Sequence, residues 1–350
     1  MRIDTEYFGT VNGTDIDRYH LCHDNGSVVS ITGFGALITS VQIPDRDGKL
    51  ADVVLGYDTL NEYVHDKIFI GSLVGRYANR IREGKILIDG IPHQLTCNRP
   101  GIHLHGGETG FNKKIWKAEP FWEESGCGVE LSLLSPDGDE GFPGNLTVSL
   151  RYLFTPDSEL VIHYRAETDK PTIVNLTQHS YFNLSGGGPI TDHHLYINGS
   201  HITPVGPDLL PTGELMAVDG TPFDFRNSRP IFAAMTEADT QKPKGDGFDH
   251  NYALDTAGDL DKVAALVFEP ASGRTMEVRT TKPGMQLYTG NYLNGTLRGR
   301  AGQVFDQHGA LCLETQYYPD SPNHPSFPSP FLLPGQTYEH TTVYRFGVKG

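Results

Sequence analysis

Nine Asn-Gly or Asp-Gly pairs punctuate the chain: Asn12, Asn25, Asn198 and Asn294, and Asp47, Asp89, Asp137, Asp219 and Asp246, each followed by glycine. Such pairs suit tight turns that need positive φ, so they cut the chain into short pieces that reverse direction. Between them lie alternating or β-rich runs: VVSITGFGALITSVQI (28–43), KILIDGIPHQL (85–95), NLTVSLRYLF (145–154), ELVIHYRAE (159–167) and RTMEVRTTKPGMQLYTG (274–290). KILIDGIPHQL reads as a hairpin about Asp89-Gly90, and NLTVSLRYLF places Leu146, Val148, Leu150, Tyr152 and Phe154 on one face. Helical candidates are few: DTLNEYVHD (58–66) behind an Asp58 cap, and a short piece near IFAAMTEAD (231–239).

This is the pattern of an all-β protein. The most linker-like segments are QKPKGDG (241–247) and SPNHPSFPSP (321–330), but strand-like sequence resumes after each, and no fixed-period repeat is present. The expected architecture is one domain over residues 1–350, a large antiparallel β-sandwich with long functional loops and few short helices.

A formal charge of −15, from 28 Lys and Arg against 43 Asp and Glu, argues against a nucleic-acid or anionic-membrane partner, since both require clustered cations. It also disfavours a phosphorylated substrate, unless a local Arg pocket overrides the average. No apolar run is long enough to span a bilayer. The start, MRIDTEYFGT, carries acids where a signal peptide would be basic and then apolar, so a cytoplasmic location is expected. Cys22, Cys97, Cys127 and Cys312 form no CxxC pair and read as small hydrophobes in a reducing compartment.

Five stretches place unusual polar groups beside strand-like sequence. In NLTQHSYFNL (175–184), read as a strand, Asn175, Thr177, His179, Tyr181 and Asn183 share one face and Leu176, Phe182 and Leu184 the other. Neutral hydrogen-bonding groups in place of Lys, Glu and Arg suit a face that holds something polar. GRYANRI (75–81) carries Asn79 and Arg80; IHLHGGETGF (102–111) carries His103 and His105 on one strand face; GDGFDHNYAL (245–254) carries Asp249; CLETQYYP (312–319) carries Glu314. Each has a plain structural alternative. Arg80 reads equally as a surface ion pair, Asp249 as a turn residue, His179 as a satisfied core histidine. Glu314 fits that alternative least, because a glutamate alternating with Leu311 and Leu313 needs a partner. HLHGG can be read as a metal pair, but Glu108 follows too soon and Cys97 displaces the upstream glycine of the cupin pattern.

Together GRYANRI, HLHGG, NLTQHSYFNL, GFDHNY, GMQLYTG and LETQYYPD, in that order along nearly the whole chain, resemble the aldose 1-epimerase (galactose mutarotase) family. The resemblance implies a supersandwich whose concave sheet face holds the sugar. It further implies Glu314 as general base, His179 as general acid, and Asn79, Arg80, His105, Tyr181, Asp249 and Gln286 as sugar contacts. Interconverting anomers requires removing the C1 hydroxyl proton while protonating the ring oxygen, then closing the opened ring on the other face. One base and one acid suffice, with neither cofactor nor metal. Nearby carboxylates, Glu314 and Asp249, are expected to keep His179 protonated. The expected partner is a free aldohexose, and the expected state a monomer or weak homodimer. Two alternatives remain: a hexose-6-phosphate 1-epimerase of the same fold, which needs added cations at the pocket rim, and a non-catalytic carbohydrate-binding protein, which needs no acid–base pair.

Overall fold

Most of the Asn-Gly and Asp-Gly pairs form the expected turns; Asn198-Gly199 does not, with neither residue at positive φ. Asn12 and Gly13 take φ of 51° and 79° and join the strands Arg2–Val11 and Thr14–Cys22; Asp89 and Gly90, at 49° and 78°, join Lys85–Ile88 to Ile91–Gln94. The protein is described here by a computed structural model covering residues 1–237, 239, 241 and 247–349. Residues 242–246, most of the linker-like QKPKGDG segment, lie outside the described residues, as does Asp246 of the Asp246-Gly247 turn.

Three larger antiparallel sheets carry the architecture. The first, of nine strands, runs in the order Lys117–Glu123, Gly126–Ser135, Leu146–Phe154, Glu159–Thr168, Tyr338–Val348, Arg274–Thr280, Ala265–Phe268, His194–Ile197 and Arg229–Pro230. Leu146, Val148, Leu150, Tyr152 and Phe154 are all buried on its inner face, as their alternation predicts. A second sheet uses the five N-terminal strands between Arg2 and Asp52. The third orders Met216–Ala217, His201–Ile202, Asp249–Ala253, Gly284–Tyr288 and Cys312–Gln316. The β-rich run 274–290 is thus divided between two sheets, with the break at residues 281–283.

The third sheet lies against the first. The Tyr344 hydroxyl donates to the Leu313 carbonyl at 3.2 Å, and the Thr315 and Thr342 hydroxyls meet at 2.6 Å. Side chains alternate along a strand, so the residues between those contacts face the other way. Register then aligns Asn251, Gln286 and Glu314 across three strands, with Asp249, Tyr288 and Cys312 in the next row. One hydrophobic cluster beneath runs from Tyr19 to Phe346 and takes residues from all three sheets.

The first helix is Leu60–His65, and its N-cap is Thr59, not Asp58. Glu62 accepts the Thr59 N–H at 2.9 Å, while Asp58 is drawn away to accept the Ala301 N–H at 3.0 Å. The second, Ile231–Thr236, falls where IFAAMTEAD predicts a short helix. NLTQHSYFNL departs from a continuous strand. Only Thr177–His179 is ladder, paired with Ser72–Val74, and its two asparagines are put to structural use. The Asn175 amide donates to the Ala78 and Tyr317 carbonyls, and that of Asn183 to the Gly188 and Gly309 carbonyls.

Candidate active site

A cavity of about 440 Å³ opens above the third sheet, within the usual range of small-molecule sites. Seven of the eight residues singled out from sequence line it: Asn79, Arg80, His105, His179, Tyr181, Asp249 and Glu314. Gln286 does not. It lies one strand over, and its amide donates to Asp249 Oδ1 at 2.7 Å while its carbonyl oxygen accepts from Gln316 at 3.2 Å. Gln286 therefore holds Asp249 in place from behind.

Asn79 and His105 are latched together at the open end of a two-strand ladder, Arg80–Arg82 with Ile102–Leu104. The Asn79 N–H donates to His105 Nδ1 at 3.2 Å, and the His105 N–H donates to the Asn79 carbonyl at 3.1 Å. Both residues adopt left-handed backbone, φ 67° and 50°. That turn separates the two histidines expected to share a strand face. His103 points into a second core, edge-on to Phe142 with its Nδ1 2.7 Å from the Thr96 carbonyl, while His105 alone reaches the cavity. The glycines of HLHGG have a packing reason: at Gly106, φ 90°, a Cβ would come within 1.9 Å of the Gly75 carbonyl.

Arg80 is fixed at both ends of its reach. Its guanidinium donates to Asp249 Oδ2 at 3.1 Å and to Asn79 Oδ1 at 3.3 Å, and its own N–H donates to Asn79 Oδ1 at 2.9 Å. Arg80 and Asp249 thus form a partly buried ion pair facing the cavity, rigid and charge-assisted.

His179 and Glu314 stand with Nε2 and Oε1 3.6 Å apart, both buried. Glu314 Oε2 is buried and has no hydrogen-bond partner among the described residues. The imidazole stacks near the rings of Tyr181 (centroids 5.0 Å) and Phe69 (5.9 Å), with Cys312 Sγ 3.6 Å from its Nδ1. The Tyr181 hydroxyl donates to the Ile68 carbonyl at 2.9 Å, so toward a ligand it offers only its ring and oxygen lone pairs.

Burial governs the charges here. It lowers the His179 pKa to about 4, against the opposing pull of its own backbone carbonyl and of Asp249. Burial, reinforced by Asp249 and opposed by Arg80, raises that of Glu314 to about 8. This corrects the expectation that neighbouring carboxylates keep the imidazole protonated: the loss of water outweighs them. Near neutral pH the pair holds one proton, resting on the carboxyl. Burial likewise holds His105 neutral, with His179 and Arg80 adding like-charge repulsion.

Ligand atoms of His105, His179 and Glu314 all lie within 4.8 Å of one another, the one group among the described residues close enough to hold a metal ion. Its chemistry suits a hydrogen-bond donor better. His105 Nδ1 accepts the Asn79 N–H, so the neutral ring carries its proton on Nε2, whereas a metal-ligating histidine turns its other N–H toward an acceptor.

Sequence reasoning missed Phe69, Tyr288, Tyr292 and the exposed cations Lys67 and Arg99, all of which line the cavity. Phe69 sits in the apolar stretch IFIG, which reads as core, and no local pattern marks it.

Residues 17–345 match the family model described as aldose 1-epimerase. The chain is 44% identical to the galactose mutarotase of Mus musculus over 338 residues, covering 96% of this chain and 95% of that one. It is 39% identical to the aldose 1-epimerase of Escherichia coli (strain K12) over 329 residues, 93% of this chain and 94% of that one. The crystal structure of galactose 1-epimerase from Lactobacillus acidophilus NCFM superposes with a TM-score of 0.89 at 30% identity, covering 100% of this chain and 99% of that one. The chain belongs to the aldose 1-epimerase family.

Proposed function

We propose that this chain is a mutarotase that interconverts the α and β anomers of free aldohexoses such as D-galactose and D-glucose, with Glu314 and His179 as its acid–base pair. The observation that carries this reading is the pair itself: two buried titratable groups 3.6 Å apart that share one proton, at the floor of a cavity lined by hydrogen-bonding side chains. The proton inventory fits the reaction. The resting proton first passes from Glu314 to His179 Nε2, and ring opening begins from the resulting carboxylate and imidazolium. Glu314 takes the C1 hydroxyl proton while His179 gives its Nε2 proton to the ring oxygen, leaving carboxyl, neutral imidazole and the open-chain aldehyde. After rotation about C1–C2, closure runs the same transfers backwards, so no net proton is gained or lost. Burial favours the neutral pair, which is both the resting form and the form that accompanies the aldehyde, so the ion pair is a transient state of the cycle.

The remaining groups hold hydroxyls. Arg80 and Asp249 present a fixed donor and acceptor, Asn79 an amide, and His105 a neutral N–H donor. Gln286, predicted as a sugar contact, acts in this reading through Asp249. The hydrophobic cluster shared by all three sheets supports one domain, and four free thiols, Cys97 exposed among them, support a cytoplasmic location.

Lys67 and Arg99 in the cavity lining favour the hexose-6-phosphate reading, since that substrate needs rim cations; Asp208 and Asp249 in the same lining counter them. A polarimetric trace of freshly dissolved α-D-galactose, with and without protein, tests the proposal. Acceleration supports it. A rate equal to the uncatalysed one, or acceleration of glucose 6-phosphate alone, refutes it.

A further inference from the structure

Phe69 adopts a left-handed backbone, φ 61°, that glycine reaches freely and a bulky side chain rarely does. A phenylalanine at such a position points to a task for its ring. The segment around it wraps His179 from one side. The Tyr181 hydroxyl donates to the Ile68 carbonyl at 2.9 Å, the Gly71 N–H donates to the His179 carbonyl at 3.1 Å, and Ser72 pairs with His179 in the ladder. These anchors bring the Phe69 ring 5.9 Å from the His179 ring at an interplanar angle of 26°, with Tyr181 at 5.0 Å and 29° from the same imidazole and the His105 ring 4.7 Å from Phe69. The imidazole thus packs near-parallel to two aromatic rings.

The acid–base cycle passes through the imidazolium, and the groups facing it offer that cation little. On the strand Cys312–Gln316, Glu314 loses its charge as it takes a proton, and Cys312 offers Nδ1 only a sulfur at 3.6 Å. Asp249, across the sheet, is already paired with Arg80. His105, edge-on at 5.2 Å, is neutral, and Lys67, also in the cavity lining, bears a like charge. Aromatic faces carry negative charge density and attract a cation within about 6 Å of the ring centroid, most strongly where water is excluded.

We propose that Phe69 is a positioning residue of this reaction: packed near-parallel to the His179 ring, it stabilises through its face the imidazolium that forms in each catalytic cycle. The proposal rests on the mutarotase reading and adds to it a residue that holds the acid ready without touching the transferred proton.

The test replaces Phe69 in the full chain with fluorinated phenylalanines, from mono- to pentafluoro. These keep the ring's outline while draining charge from its face. Turnover of α-D-galactose is followed by polarimetry, and His179 protonation by NMR of ¹⁵N-labelled histidine. Expected are a stepwise fall in kcat reaching about tenfold, KM unchanged within about twofold, and a His179 titration displaced to lower pH by about one unit. Phe69→Leu should move both readouts the same way, and Phe69→Trp should retain activity. A flat kcat and titration across the fluorinated series, with Phe69→Leu alone impaired, makes the ring a mere filler and overturns the proposal. So does a rise in KM at constant kcat, which would place the ring against the sugar. Failure of the mutarotase reading is distinct: the unsubstituted protein would then be inert in the polarimeter, while the NMR titration still decides whether the ring face acts on His179.

Discussion

A dry acid–base pair should work over a wider and more alkaline pH range than the same two groups in water. In the proposed mechanism catalysis needs one proton on the Glu314–His179 pair. Below about pH 4 both groups are protonated and no base remains; above about pH 8 both are deprotonated and no acid remains. The limbs belong to the pair, the acidic one reporting largely His179 and the alkaline one largely Glu314, opposite to the order that unperturbed groups would give. With limits of about 4 and about 8, the one-proton fraction at pH 7.5 is about three-quarters, and at pH 9 it is about a tenth. With reference values of about 4.3 and 6.5 the fraction at pH 7.5 would be only about a tenth, so that single pH separates the two cases by about eightfold. The assay is initial-rate polarimetry of α-D-galactose from pH 4 to 9, extrapolated to zero buffer and corrected for spontaneous mutarotation, with kcat/KM plotted against pH. A half-maximal alkaline limb near pH 6.5 would refute the reasoning, because it would mean that water reaches the pair and burial does not set its protonation.

Gln286→Leu removes the 2.7 Å donor to buried Asp249; KM for galactose should rise about 10- to 150-fold, the equivalent of one charge-assisted hydrogen bond, with the fold intact by circular dichroism. An unchanged KM would end its role as a support. Arg80→Met or Asp249→Ala should lower kcat/KM while the protein stays folded, since both side chains face the cavity; a variant that unfolds while its soluble fraction keeps full activity would make that residue structural. Glu314 should also cost stability: with its folded pKa raised to about 8, the folded state binds the extra proton, and stability present below about pH 4.5 is lost as pH rises toward 8, by about 1.4 kcal/mol per unit. The Tm of Glu314→Gln relative to the unsubstituted protein should therefore climb between pH 5 and 8, and a constant difference would contradict the shift. Activity should survive exhaustive EDTA treatment; loss restored by a divalent ion would place a metal on His105, His179 and Glu314.

The strands were legible wherever period-two alternation met a turn pair, as in 145–154 and the Asp89-Gly90 hairpin, because burial on one face imposes that period directly. It was less informative at NLTQHSYFNL. Short ladders and isolated bridges there leave Asn175 and Asn183 bonding backbone, an outcome set by distant loops. The alternation of Glu314 with Leu313 was readable and holds, since that strand is regular. His103 and His105 parted because His105 itself takes left-handed backbone, which alternation does not reveal. The charge states were not legible at all: the reference chemistry of Glu and His gives one order, and enclosure, a property of the whole fold, reverses it.

The central claim is that Glu314 and His179 together move the protons of anomer exchange. The measurement that tests it most directly is kcat for α-D-galactose in Glu314→Gln, His179→Asn and the double variant, with sugar binding followed separately by calorimetry. Each single change should lower kcat by roughly 10²-fold or more with binding retained, and the double variant should be little worse than the worse single one, because groups acting as a unit are lost together. Near-normal turnover in either single variant, with its fold and binding intact, would contradict the account.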